Sequence, residues 1–315
     1  MSDSLPAYKI NSELAYLSGG WCSELAEALL VQRPKQMSLV GNWPDLGMFS
    51  GLVDSVEGLT IEGSLDNGRI NAIHNIGVFK HLKRLHLVSK VKASYDLSGL
   101  LHLRRLHGDW QTDMGPALRL PNLEYSHINN YPAPDFAGFP AAPALHHISL
   151  GRPALTSLAG MSGMSCLREL EIHGGRKLTS LQGLAPGLLT RLVINEARQL
   201  IEIGAVAGSS LASVKFLHVS AGLDLAPLSR TPGLRRIHVA GKDAPLLPWL
   251  GMLGNPNLEM LAGVWDPACV SEDALRNALP QGRELLKFER AKPKGVTPLV
   301  LKMGPAGKGV CAAQS

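Results

Sequence analysis

The stretch "LRELEIHGGRKLTSLQGL", residues 167–184, decides the fold. It opens with Leu167, Leu170 and Ile172, an apolar-x-x-apolar-x-apolar module whose end alternates as a strand does. It continues with Leu178, Leu181 and Leu184. A spacing of three suits a short 3₁₀-like turn that leads the chain back. One such piece cannot bury its apolar residues alone, but copies stacked side by side can.

The copies are present. The strand module recurs as Val56–Leu59–Ile61, Leu82–Leu85–Leu87, Leu103–Leu106, Leu123–Ile128 and Leu145–Ile148–Leu150. Beyond residue 184 it reads Leu189–Leu192–Ile194, Val214–Leu217–Val219, Leu234–Ile237–Val239 and Leu258–Leu261. First positions are separated by 26, 21, 20, 22, 22, 22, 25, 20 and 24 residues. The turn residues recur too, as Leu155, Leu158, Met161 and as Leu97, Leu100. A steady period of this length predicts an α/β solenoid: parallel strands on one side and short 3₁₀ or helical turns on the other.

These modules resemble the leucine-rich repeat family, over roughly residues 34–265. The short repeats and the "LTSL-x-G" segments at 155–160 and 178–183 look most like the compact bacterial, internalin-like type. The resemblance implies a horseshoe with a parallel sheet on its concave side. One position departs from the family. Where members place Asn or Cys after the strand, this chain has Lys90, Gln111, Tyr131, Pro153, Gly175 and Ala197. The turns must therefore satisfy their backbone groups by other means.

Three parts are expected: an N-terminal helical cap over 1–33, the solenoid over 34–265, and a C-terminal cap with a basic Gly/Pro-rich tail over 266–315. Ser23 to Val31 reads as a helix capped by Ser23, with Leu25, Ala28 and Leu29 as its apolar stripe and Pro34 closing it. "KQMSLVG" (35–41) reads as a degenerate first strand. "SEDALRNAL" (271–279) reads as a capping helix with Ser271, Leu275 and Leu279, and "ELLKFER" (284–290) as a last strand. Beyond it, "VTPLVLKM" could dock within an otherwise tail-like end.

Composition narrows the classes. The four cysteines, Cys22, Cys166, Cys269 and Cys311, form no C-x-x-C, so no zinc or redox motif is expected. The chain opens without a basic segment followed by a continuous apolar run, and no run of 18 apolar residues occurs, so a cytoplasmic location without membrane contact is expected. The net charge of +5 belongs entirely to residues 281–315, which hold seven basic and two acidic side chains. The repeats are neutral overall, which argues against a nucleic-acid partner.

Function then falls to the residues between the leucines. One column reads His86, His107, His127, Ser149, Glu171, Val193, His218, His238 and Ala262. It holds five of the eleven histidines. The column before it reads Arg84, Arg105, Tyr125, His147, Glu169, Arg191, Phe216, Arg236 and Met260. Imidazoles in a straight column either pack flat on one another or take part in recognition. They diverge too far to close a metal site, so no metal and no cofactor is expected. Trp110 reads either as an edge anchor or as packing for a neighbouring loop.

No G-x-S-x-G, H-E-x-x-H or G-x-G-x-x-G occurs, and "GPAGKG" (304–309) lacks the spacing and context of a phosphate loop. The expectation is a non-enzymatic protein-binding module of bacterial type. Its expected contact residues are Arg84, His86, Arg105, His107, Trp110, Tyr125, His127, His147, Glu169, Glu171 and Arg191. Scaffolding, or immunity-like neutralisation of a toxin or effector, would suit such a surface. Two alternatives remain: an anionic-ligand or nucleic-acid binder using Lys83, Arg84, Arg104, Arg105 and the tail, and an exported, host-directed effector.

Overall fold

A computed structural model describes residues 7–305, apart from 19, 42, 44, 64–69, 71–72, 93, 185–186, 188, 242–244, 246–248, 254, 256, 266–273, 275–276, 278–282 and 289–296. Ser271, Leu275 and Leu279, expected in a capping helix, lie outside the described residues. The chain packs as two compact units. The first takes residues 1–132, 138–151 and 163–167, and the second 133–137, 152–162 and 168–315.

The first unit contains β1 (Ala7–Ile10), β2 (Leu14–Ser18), α1 (Ser23–Gln32), β3 (Gln36–Val40), β4 (Gly58–Glu62), β5 (Arg84–Leu87), β6 (Arg105–Asp109), α2 (Met114–Leu118), β7 (Tyr125–Asn129) and β8 (His147–Gly151). Its strands lie side by side in chain order, β1 antiparallel to β2 and all later neighbours parallel. The second unit contains β9 (Glu169–His173), β10 (Arg191–Asn195), β11 (Ser213–Leu217), β12 (Arg236–Ala240), α3 (Trp249–Leu253), β13 (Met260–Trp265), β14 (Arg283–Phe288) and β15 (Thr297–Pro305). Strands β9 to β13 are parallel neighbours, β15 runs antiparallel to β13, and β14 runs antiparallel to β15. Each unit is thus an open, mostly parallel α/β stack with few helices, compatible with a solenoid of repeats.

The apolar pattern explains the packing. Leu170 and Ile172 of β9 and Leu192 and Ile194 of β10 are fully buried, while Glu169, Glu171 and Arg191 between them are half-buried on the other face. The turn residues Leu97, Leu100, Leu155, Leu158, Leu178 and Leu181 are buried as well, so each repeat fills the core from both sides. Full burial of one such leucine contributes about 1.5–3 kcal/mol. The glycine of the "LTSL-x-G" segment marks a close approach of one repeat's backbone to the next. Gly183 has φ +89°, and a Cβ on it would stand 2.4 Å from the Ala159 Cα. Gly160 repeats this with φ +86° and only 2.3 Å to the Ala137 nitrogen.

Two backbone devices join repeats. At each strand start, one carbonyl accepts two N–H groups from the next repeat: Lys83 O from Arg104 and Arg105, Arg104 O from Glu124 and Tyr125, Arg168 O from Thr190 and Arg191. At several strand ends, the turn residue donates its N–H to the final carbonyl of the following strand, whereas after β5 Val88 donates back to Ile61 O. Asn130 donates to Gly151 O (2.7 Å), Gly174 to Asn195 O (3.0 Å), Glu196 to Leu217 O (2.9 Å) and His218 to Ala240 O (2.8 Å). These four residues are left-handed, with φ between 52° and 71°. These bonds satisfy turn backbone groups without a column of Asn or Cys side chains. Tyr131, Pro153, Gly175 and Ala197 at that column are buried, and Gln111 alone among its members uses its side-chain amide, donating to Val91 O.

Three local expectations change. Ser23 is not the cap of α1: Cys22 takes that place without a side-chain bond, and the Ser23 hydroxyl donates to Glu24 instead. The helix ends at left-handed Arg33, whose N–H returns to Leu29 O (3.0 Å), with Leu25 and Leu29 buried. The tail-like end is paired in part: residues 297–302 pair with β13 and 301–305 with β14, so the apolar segment docks as β15. The repeat read as Val214–Leu217–Val219 is out of register: Val214 and Phe216 are the inward pair, and the repeat starts at buried Leu211. The unequal gaps of 25 and 20 residues around Val214 were the sign of it in the sequence, since Leu211 stands 22 after Leu189 and 23 before Leu234.

Candidate functional site: the exposed face of the strands

In the first unit the parallel register sets two columns. One runs Leu14, Gln36, Gly58, Arg84, Arg105, Tyr125, His147; the other runs Tyr16, Ser38, Thr60, His86, His107, His127, Ser149. Neighbours in a column are separated by about 4.8 Å. Seven expected contact residues, Arg84, His86, Arg105, His107, Tyr125, His127 and His147, therefore share one continuous face. The hairpin β1–β2 adds Leu14 and Tyr16, 44% and 42% exposed, which sequence reasoning left out.

The histidines stack. His86 and His107 lie with ring centroids 4.1 Å apart and planes 16° from parallel; His107 and His127 are 4.2 Å apart at 61°. His127 is tied by Nδ1 to the Ser149 hydroxyl (2.9 Å) and by Nε2 to the Asn129 side-chain oxygen (3.2 Å). Tyr125 meets His147 edge to face at 4.7 Å. Partial burial lowers the pKa of His107, with the neighbouring His127 and His86 adding to it, to about 4. His86 moves the same way, by burial first and His127 second, against a weaker pull from Glu62. His86 and His107 are therefore uncharged at neutral pH and pack as aromatic surface.

Beside it lies a trough of about 300 Å³, floored at Gly58 and lined by Leu14, Gln36, Thr60, Arg84, His86, Arg105, His107 and Tyr125. The missing side chain of Gly58 leaves room for the Arg84 guanidinium, whose Nε lies 3.5 Å from where a Cβ would stand. Arg84 and Arg105 are register partners and exposed, and neither meets a carboxylate within 4.0 Å among the described residues. Their preceding neighbours differ: Lys83 holds Glu57 (2.6 Å) and Arg104 holds Glu124 (3.3 Å).

In the second unit the matching columns run Glu169, Arg191, Ser213, Arg236, Met260 and Glu171, Val193, Lys215, His238, Ala262. The corrected register puts Lys215 in the histidine column and moves His218 to the turn. Here the cations are matched. Arg191 donates to Glu169 (2.9 Å) and to Glu171, and Glu171 also meets His173 Nε2 at 3.2 Å. Arg236 donates to Glu259 at 3.2 Å. Glu169, Glu171 and Arg191, all expected as contact residues, thus form an ion-pair cluster of their own.

Trp110 sits in the turn after β6, edge-on to Tyr131 (4.8 Å) and stacked near Phe139 (5.8 Å). It packs the turn. Ser149 already follows His127 in its sequence column; its bond to His127, that of Asn129 two residues along the same strand, and the Gly58 floor are side-chain contacts that the spacing of residues does not reveal. No family model matches the chain, and no curated protein matches it. Among the described residues no helix is long and apolar enough to cross a membrane.

Proposed function

We propose that the chain is a protein-binding module of leucine-rich-repeat type, without catalytic activity, that receives a protein partner on the exposed, concave side of its strands. The observation that carries this reading is the continuous face of Arg84, Arg105, Tyr125 and the His86–His107–His127 stack. Arginine and tyrosine are common interface anchors. The face is fixed by the parallel backbone ladder and by ring stacking, so little conformational freedom is lost on binding. The mechanism is occlusion or scaffolding by a rigid surface, and neutralisation of a toxin or effector is one form it takes.

The test is affinity capture with the full chain as bait, using lysate of the cells that encode it. The expected result is one protein at near-stoichiometric yield, lost when Tyr125→Ala and His107→Ala are combined and retained by Lys80→Ala, away from the strands. Capture that survives the paired face variant, or recovery of no partner at such yield, overturns the reading.

A further inference from the structure

Among the described residues, the first unit carries an unbalanced pair of cations in a place built to present it. Arg84 and Arg105 stand directly opposite one another on parallel strands. Like charges so placed repel. Elsewhere in the same unit the cations at strand starts are matched: Lys35 with Glu13 (3.1 Å), Lys83 with Glu57 and Arg104 with Glu124. In the second unit the residues of the same column, Arg191 and Arg236, are matched as well. Glu57 does sense the charge of Arg84, but its carboxylate is already bonded to Lys83.

The surroundings say what would complete the pair. Gly58 clears space beneath the Arg84 guanidinium, and the trough beside it is walled by Tyr125 and by the faces of His86 and His107. Two forked guanidinium groups suit planar carboxylates, which each can hold through two parallel N–H donors. Leu14 at the open end offers apolar contact, and Tyr125 a ring. The charge is polarised across the strands: Glu62 and Asp109 lie at the strand ends, about 13 Å further along. An acidic segment therefore fits along the arginine column and is turned away from the strand ends.

We infer that Arg84 and Arg105 form a carboxylate-binding site, and that the partner places an acidic segment, rich in Asp or Glu, across β4 to β7 in the trough over Gly58. This inference rests on the binding role proposed above and adds the partner's chemistry.

The probe is a fluorescein-labelled oligoglutamate peptide, titrated against the full chain by anisotropy, with an oligolysine peptide as control. Saturable binding of oligoglutamate alone is expected. Arg84→Glu and Arg105→Glu each weaken it at least about tenfold, the scale of one charge-assisted hydrogen bond. Lys80→Glu, an equal charge change away from the strands, leaves it within about twofold. Gly58→Leu, which fills the trough and keeps both charges, weakens it as the arginine variants do. Circular dichroism verifies that each variant is folded. Equal weakening by Lys80→Glu, or undiminished binding to Gly58→Leu, would reduce the effect to diffuse charge attraction and overturn the site. Inorganic phosphate displacing the peptide more strongly than free glutamate at equal concentration would overturn the assignment to carboxylates. The two proposals fail separately. A captured partner that ignores Arg84→Glu and Arg105→Glu but is lost with Tyr125→Ala and His107→Ala removes the carboxylate site and leaves the binding face standing.

Discussion

Arg84 and Arg105 in the first unit and Arg191 in the second occupy the same position of the repeat, yet they live in opposite surroundings. Arg191 is held between two glutamates of its own unit, one on its partner column position and one on the column beside it. Arg84 faces Arg105, and no carboxylate within 4.0 Å balances either of them among the described residues. One repeat architecture thus yields a closed surface in one place and an open one in another. What differs is which residue stands across the ladder, which a single repeat does not reveal.

The contrast in closure breaks most sharply at two glycines. Gly183→Ala forces a Cβ to within 2.4 Å of the Ala159 backbone at a positive φ, and a loss of about 2–4 kcal/mol is expected in chemical denaturation. Gly58→Ala meets only side-chain atoms at ordinary contact distance, Arg84 Nε at 3.5 Å and Gln36 Cγ at 3.6 Å, and is expected to change stability by less than about 1 kcal/mol. Equal losses would dissolve the distinction.

Next in size is Arg191→Met. It leaves Glu169 and Glu171 with one cation fewer between them and is expected to cost about 1–2 kcal/mol, reduced from a fully buried pair because these side chains are partly in water. The loss should shrink when Glu171→Gln is added, as a double-mutant cycle would measure.

Acid sharpens the comparison from the other side. His107 and His86 have lower proton affinity in the fold than in the unfolded chain, so the unfolded chain takes up more protons as pH falls. Stability is therefore full above about pH 6.5 and declines as pH drops toward about 4, the folded value for His107. His238, lowered by burial and then by Lys215, adds in the same direction. Thermal melts across this window should show a shallower slope for His107→Gln, and an unchanged slope would contradict the stack as the source.

The smallest effect is expected for Arg84→Met or Arg105→Met. Each relieves a like-charge contact and is expected to shift the denaturation midpoint by no more than about 0.5 kcal/mol, in either direction. A loss as large as that of Arg191→Met would mean that these arginines serve the fold.

Much of the fold was legible because leucine spacing is a local signal. Leu170, Ile172, Leu178 and Leu181 mark strand and turn within one repeat, and all four are buried as their spacing implies. The hairpin β1–β2 was not legible, since "AYKI" and "LAYLS" become strands by pairing with each other and with β3. Residues 213–219 misled because "SVKFLHV" alternates in either register, and burial of Leu211, Val214 and Phe216 chooses between them. The candidate site was legible as columns of residue types. Its decisive property, which cation has an anion opposite, depends on contacts between residues some twenty positions apart.

The turn that closes each strand has a bearing on how the chain is made. The N–H of Asn130 finds its acceptor on Gly151, that of Glu196 on Leu217, and that of His218 on Ala240, always one repeat later. A repeat emerging from the ribosome holds an open donor until its successor arrives. At these turns each new repeat finishes the one before it, so an unfinished chain carries open backbone donors at its growing end.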